Sequence, residues 1–390
     1  MKWLFIVSAG LSIVMLGGLF LAGRRHVLAG LRRPYAGPER LKREPNLAMI
    51  VPITGDTPEG RAGLATLLKQ DYPNLRVVLV TRDEIDPATA MARELVRSRQ
   101  DARHVLAGPA LRCGQKNHNL LAGIAALGDW PEAYVFCDAS HLARPDLARL
   151  LVEPLAEGKA VIAGGFHRIV PLDNSVPTLG MLLTCLALHC MQAIRAITQP
   201  WGGAMAVTRQ AFEEHGIAEV WAENIVDDFS MGPHLAKRGI RTWRVGRACL
   251  DTPLRAVKLA DWETWLVRQL LYLKFCTPDI WLRAVVAAWL FGFPPVAAAL
   301  GILGALLGMA DPWWIGAGLV YLMAFIPLGF IFRTLSPRPV PVAAWFKGFV
   351  VAMVMTFWCY ARTWFTFTMS WRGISYKVAW GGRVVRIIRS

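Results

Sequence analysis

The stretch AENIVDDFSMGPHLAKRGIRTWRV, residues 222–245, sets two adjacent carboxylates, Asp227 and Asp228, before a short helical pattern that breaks at Gly239 and passes into a strand. An acid at a helix start is often no more than its cap, and a helix N-terminus favours the ionised form of an acid placed there. Two more aspartates stand where strand patterns end. Asp83 follows LRVVLVT (75–81), and Asp138 follows AYVFC (133–137). Ligands of open α/β sheets bind beyond the carboxyl ends of the strands, so these carboxylates are candidates for one shared site. Each alone is equally at home in a turn or a cap. Two carboxylates at strand ends, with a later acidic pair before a helix, are harder to dismiss together.

The elements that must position them alternate. Strand signals at 46–53, 75–81, 103–108 and 133–140 are separated by helical patterns at 59–70, 87–99 and 115–127. Further strand candidates lie at 159–165, 202–208 and 240–246. Short β-branched runs divided by such helices predict βαβ units and a mostly parallel, Rossmann-like sheet flanked by helices, an α/β fold over residues 46–279.

Around that domain the chain is apolar. It has 390 residues, 54% hydrophobic and only 18% charged, yet its net charge is +15. Residues 3–22 carry no charge and can span a bilayer, and Arg24, Arg25, Arg32 and Arg33 follow. This predicts a retained N-terminal transmembrane anchor (1–25) and a basic linker (26–45), with the basic side and the domain facing the cytoplasm of an integral membrane protein of bacterial inner-membrane type. Apolar runs at 284–309, 315–332 and 342–367 predict a membrane-embedded helical region over 280–368, ahead of a basic tail, 369–390. Three full crossings would put that tail outside, against the charge rule, so the third run, with Lys347 and Arg362, is expected to re-enter or lie in the interface. A 17-residue apolar segment, 178–194, suits a core helix or a surface helix equally.

The positive charge flanks apolar segments and accompanies no nucleic-acid motif, so an anionic membrane surface accounts for it and no nucleic acid is expected. The seven cysteines show no zinc spacing, and Cys185, His189 and Cys190 sit in an apolar run that favours core packing. The oligomeric state is left open.

The ordered pieces KQDYPNLRVVLVTRDEIDPA, GQKNHNLLAG, YVFCDAS, QPWGGAMAVTRQAF, VDDFSMGPHLAKRGIR, RQLLYLKF and SWRGISYKV resemble the ceramide glucosyltransferase family and its bacterial lipid-glycosylating relatives, inverting nucleotide-sugar glycosyltransferases of the GT-A fold. The resemblance implies that a hexose, glucose first among candidates, passes from a UDP-sugar to the hydroxyl of a ceramide-like lipid in the membrane. By the same resemblance Asp83 meets the nucleoside, Asp138 begins the motif for Mg or Mn, and Lys116 lies near the phosphates. Asp228 is then the base, with Asp227 its acidic neighbour. The chain departs from the family twice. Ser140 replaces the second metal-motif acid, leaving His141 as a candidate helper. RQLLY keeps Arg268 but has Leu271 and Tyr272 for Arg-Trp, with Arg268 or Lys274 as substitutes for the lost phosphate ligand. In the same segment Trp262, Trp265 and Tyr272 have the spacing of headgroup-level anchors. Other acceptors (a hopanoid, a diacylglycerol, a polyprenyl phosphate, a polysaccharide) and an inactive membrane-bound scaffold are the competing readings.

Overall fold

The computed structural model describes residues 1–31, 41–97 and 99–389. The first helix, α1 (Lys2–Leu31), runs on past Arg24 and Arg25, so the expected linker begins as helix. Residues 32–40 of that linker lie outside the described residues.

Next come β1 (Leu47–Pro52), α2 (Pro58–Leu67), β2 (Leu75–Thr81), α3 (Pro87–Val96), β3 (Ala102–Leu106), α4 (Gln115–Ala125), β4 (Ala133–Cys137) and α5 (Leu147–Ala156). The second half of the domain holds β5 (Ile162–Pro171), α6 (Val176–Gln192), β6 (Ala204–Thr208), α7 (Arg209–Glu214), α8 (Ile217–Glu223), α9 (Asp228–Ala236), β7 (Trp243–Leu254) and α10 (Leu259–Cys276). The central strands are apolar throughout because both faces are covered. Leu47, Met49 and Val51 of β1 join a core with Leu64, Leu67 and Met91, while Ala48 and Ile50 join one with Leu120 and Trp221.

The strands line up β3-β2-β1-β4-β6-β5-β7, with β6 antiparallel to both neighbours and every other pair parallel. This is the mostly parallel, helix-flanked sheet expected from the sequence. Thr57 and Asp86 cap α2 and α3 through their side chains. β5 and β7 outrun their sequence signals, and Phe166 and Ile169 at the far part of β5 enter a third apolar cluster with α1, α6 and α10. The short apolar segment is therefore α6, a buried helix packed on β5 and on α1.

Three long helices follow: α11 (Pro278–Leu306), α12 (Trp313–Ile331, extended by a 3-10 turn to Leu335) and α13 (Val342–Trp364). With α1 they make four helices long and apolar enough to cross a membrane. Contacts set α13 apart. At one end of α1, Lys2 pairs with Asp311 and Phe5 packs on Trp313 and Trp314. At the other end, Gly30 lies so close to β7 that a Cβ would sit 2.9 Å from Cys249. α12 therefore begins far from the sheet and ends near it, where Phe332 packs edge-on to Phe20. α13 starts at that near end, with Trp345 Nε1 donating to Gly329 O at 3.1 Å. It finishes against the first turn of α11, where Tyr360 Oη donates to Trp281 O at 2.9 Å.

Both ends of α13 thus lie on the sheet's side. So do β8 (Thr368–Trp371), β9 (Ile374–Val378) and β10 (Val384–Arg389), an antiparallel trio formed by the segment expected to be only a basic tail. The conflict over the third apolar run resolves physically: α13 packs along α6 and α10, keeps Lys347 and Arg362 exposed, and returns the chain to the side it left.

The seven cysteines are buried, so introduced thiols should report sidedness cleanly. In sealed vesicles, Arg338→Cys and Lys377→Cys should react with a membrane-impermeant maleimide from one side, and Met309→Cys only from the other. Labelling of Arg338→Cys and Lys377→Cys from opposite sides would make α13 a crossing helix.

Candidate active site

The parallel register of β1, β2 and β4 brings their carboxyl ends to one edge. Asp138 stands one residue past β4, and its backbone N–H donates to Gly203 O at 3.2 Å. Across from it, Lys116 reaches out of the first turn of α4. Its Nζ lies 2.9 Å from Asp138 Oδ1 and 3.1 Å from Asp227 Oδ2, and donates to Gly202 O at 3.3 Å. Burial disfavours the ammonium, but Asp138, Asp227 and Asp228 together raise its pKa well above the ordinary lysine value. One cation therefore ties a strand end to the acidic pair 89 positions on in sequence.

Asp227 is fully buried, and neither carboxylate oxygen has a hydrogen-bond donor among the described residues; Lys116 is its charge partner. Although it stands at the N-cap position of α9, it adopts helical dihedrals and its side chain caps nothing. Asp228, the first residue of α9, accepts from Gly202 N at 2.9 Å on Oδ2 and from its neighbour Phe229 N at 2.7 Å on Oδ1. The helix start was expected to favour its ionised form. Burial and the charge of Asp227 instead raise its pKa to about 7, against the opposing pull of Lys116 and the two amides. A carboxyl balanced there can take a proton near neutrality, which an ordinary aspartate does poorly.

The loop Trp201–Gly202–Gly203 binds this set together. A Cβ at Gly202 would sit 2.2 Å from Asp227 Oδ2 and 2.8 Å from Lys116 Nζ, and one at Gly203 would meet the Trp201 ring at 2.2 Å. Glycine is required here for close approach. Gly114 serves similarly before α4: a Cβ would meet Ile225 O at 2.1 Å, and its own N–H donates to Asn224 O at 2.9 Å. Sequence reasoning missed these glycines as functional positions; the Gly-Gly pair of QPWGG was the available signal.

Asp83 lies at the same sheet edge, one strand beyond β1, and no hydrogen bond or ion pair joins it to Asp138, Asp227 or Asp228 among the described residues. It accepts from Ile85 N at 3.1 Å and Asp86 N at 3.0 Å and pairs with Arg82 at 2.6 Å. Burial opposes ionisation, yet Arg82 and the Asp86 amide keep its pKa below the ordinary value. Asp86 locks the neighbouring loop by accepting from Thr54 Oγ1 at 2.6 Å and Gly55 N at 2.8 Å.

The segment RQLLY divides its residues between two tasks. Tyr272 is stacked on Phe229, ring centroids 6.0 Å apart, and its phenol is raised by burial and by Asp228 and Asp227, with Arg268 and Lys116 opposing. It belongs to the site. Arg268, one turn earlier, is half-buried and makes no ion pair among the described residues. Leu271 points into a core shared with Met369 and Ile374. Lys274 does not substitute for a phosphate ligand, because its Nζ donates to Thr363 O and Thr366 O (2.5 and 2.9 Å) at the end of α13. The expected interfacial anchors fail at two positions: Trp262 is fully buried, its ring filling the space that a Cβ at Gly180 would occupy, and Tyr272 turns inward.

The C-terminal strands close the site from outside. Ile225 N donates to Gly382 O at 2.9 Å, just before the acidic pair, and Gln115 N donates to Tyr376 Oη at 3.3 Å, just before Lys116. On the remaining flank, His141 and His167 each bond Thr252 Oγ1 through Nδ1 at 2.8 Å. Burial lowers the pKa of His141, with Asp138 opposing, so its imidazole is neutral, the form that binds metals.

Among the described residues no three His, Cys, Asp or Glu side chains converge on a protein-only metal cage. The half-exposed Asp138 does fit a hard cation of the Mg or Mn type, which takes one or two carboxylates and completes its shell with water and phosphate oxygens. Cys185, His189 and Cys190 are buried as packing residues.

A family model described as glycosyl transferase family 21 matches residues 11–384. No curated protein matches the chain. Among solved structures the chain is similar to the mannosyltransferase PcManGT from Pyrobaculum calidifontis, in complex with GDP-Man and Mn2+. The identity is 17%, over 91% of this chain and 99% of that one, with a TM-score of 0.49.

Two outcomes are expected of this geometry. Gly202→Ala should cost about 1–3 kcal/mol of stability by overpacking and lower kcat/KM about a hundredfold by displacing Asp227 and Lys116, checked by thermal unfolding and steady-state kinetics. A reaction that needs Asp228 ionised, its pKa being raised, should be lost as pH falls through about 7, rather than through about 4 as for an ordinary aspartate. The pH dependence of kcat/KM measures this.

Proposed function

The chain belongs to glycosyl transferase family 21, and on that premise we propose that it transfers a hexose, glucose first among candidates, from a UDP-sugar to the hydroxyl of a ceramide-like membrane lipid, with inversion. The observation that carries the reading is the single cation, Lys116, bridging the strand-end Asp138 and the buried Asp227 with Asp228 next to them. Trp201, next to Gly202 of that cluster, packs against the apolar residues contributed in part by α1 and α13, two of the helices long and apolar enough to cross a membrane.

In the proposed reaction, ionised Asp228 takes the proton of the acceptor hydroxyl as its oxygen bonds to the anomeric carbon. The bond from that carbon to the diphosphate breaks on the opposite face, and the electron pair leaves with UDP. Gly202 N–H and Phe229 N–H hold one lone pair on each Asp228 oxygen and orient the remaining ones. Asp227 keeps Lys116 charged and extended towards the diphosphate, and half-buried Arg268 supplies the second positive charge that Leu271 cannot. Asp83, held by Arg82 and two loop amides, faces the nucleoside as a hydrogen-bond acceptor. Asp138, with neutral His141 beside it, would hold Mg or Mn, whose chemistry is to neutralise charge on the leaving diphosphate. The catalytic domain faces the cytoplasm in this reading, on the side where α1 carries Arg24 and Arg25.

The reading is tested with purified protein, labelled UDP-glucose, Mg or Mn, and a panel containing ceramide, diacylglycerol, hopanoid and polyprenyl phosphate. A singly glycosylated ceramide is expected, and chelation should stop its formation until the metal is returned. Asp228→Asn should lower the rate by about 10²–10⁴ while UDP-glucose still binds. Full activity in that variant would remove Asp228 as the base, and polymeric product would replace the lipid acceptor with a growing polysaccharide.

A further inference from the structure

Trp201 occupies a position that none of the site's other residues shares. It immediately precedes Gly202, whose N–H holds Asp228, and it packs against both the core of the sheet domain and the apolar cluster formed with α1, α6 and α13. One ring face is fixed: it stacks on His167 with centroids 4.7 Å apart and planes 14° from parallel, while Phe166 and His141 flank it, each at 5.3 Å. His167 is itself held through Nδ1 by Thr252 Oγ1 at 2.8 Å and approaches Cys185 Sγ at 3.5 Å through Nε2. The ring is only half-buried, and its indole N–H donates to nothing among the described residues. By contrast, the half-exposed Lys116 and Asp138 of the site are already paired with each other.

A rigid aromatic with a free donor, sitting where an apolar cluster meets a proton-abstracting carboxyl, has the form of a binding surface for an amphipathic molecule. We propose that Trp201 is the specificity-determining contact for the lipid acceptor. Its ring packs against the chain segment adjoining the headgroup, and its Nε1–H donates to a carbonyl or hydroxyl oxygen next to the reacting hydroxyl. The proposal deepens the transferase reading above and rests on it. It explains why the loop that carries Gly202 is clamped by stacked rings: a contact that orients the acceptor and an amide that orients the base belong to consecutive residues, so one rigid loop sets both.

The test separates transfer to lipid from transfer to water. Full-length native protein, Trp201→Phe and Trp201→Ala are each given UDP-glucose with Mg, with and without a short-chain ceramide in detergent micelles, and both glycolipid and free glucose are measured. Trp201→Ala should raise the KM for ceramide about tenfold or more, and transfer to lipid should fall much further than hydrolysis of the donor. Trp201→Phe, which keeps the stacked ring and loses the N–H, should fall between. Equal loss of both activities in Trp201→Ala would mean that the residue merely supports the loop, and an unchanged KM for ceramide would exclude the contact; either result overturns the proposal. If the native protein hydrolyses UDP-glucose but glycosylates no lipid, the lipid-transferase reading fails first, and this inference falls with it.

Discussion

The ammonium of Lys116 is the interaction on which the rest of the centre depends. Asp227 is sealed from water with no hydrogen-bond donor among the described residues, and a buried carboxylate in that position is tolerable only with a cation against it. The same Nζ holds Asp138, so one side chain fixes the spacing between the strand-end acid and the acidic pair of α9. Deleting one partner of such a buried pair generally costs about 3–5 kcal/mol, because the other charge is left stranded. The tightness of the arrangement also dictates its neighbours. Gly202 and Gly203 leave no room for a Cβ, so the sequence around the lysine is constrained by volume as much as by charge.

That constraint explains how Asp228 differs from an isolated aspartate. Water is excluded, Asp227 repels its charge, and Lys116 and two amides attract it; the balance leaves a carboxyl that ionises near neutral pH. The helix N-terminus at which it stands is present, but it is outweighed by desolvation and by the adjacent acid. A sequence shows the helix start and the two acids. It does not show how little water reaches them, and the sign of the shift turns on that.

Much of the scaffold was legible because its signals are local. β2 was bounded correctly at 75–81 since its apolar run is flanked by turn residues, and Asp83 and Asp138 stand out as the acids just past the ends of strands. Features that stayed hidden depended on partners distant in sequence. Trp262 has the spacing of a surface anchor but disappears into the gap opposite Gly180, and Lys274 resembles a phosphate ligand but serves the end of α13. The β-strands after α13 were read as a basic tail because Lys377, Arg383, Arg386 and Arg389 drew attention from the short period-two pattern of ISYKV, and VVRIIR has no such alternation. The path of α13 could be suspected from charge alone, yet only its contacts with Gly329 and Trp281 show where it starts and stops.

The hydrogen bonds from Ile225 to Gly382 and from Gln115 to Tyr376 have a consequence for biogenesis. Asp138, Lys116 and Asp228 all leave the ribosome well before the strands that brace them, and α11, α12 and α13 must be threaded into or onto the bilayer in between. The strands of the sheet are thus synthesised before, and the residues whose bonds brace the acidic cluster after, the three long apolar helices. Until Tyr376 and Gly382 are made, the residues just before Lys116 and just before the acidic pair lack the partners that brace them.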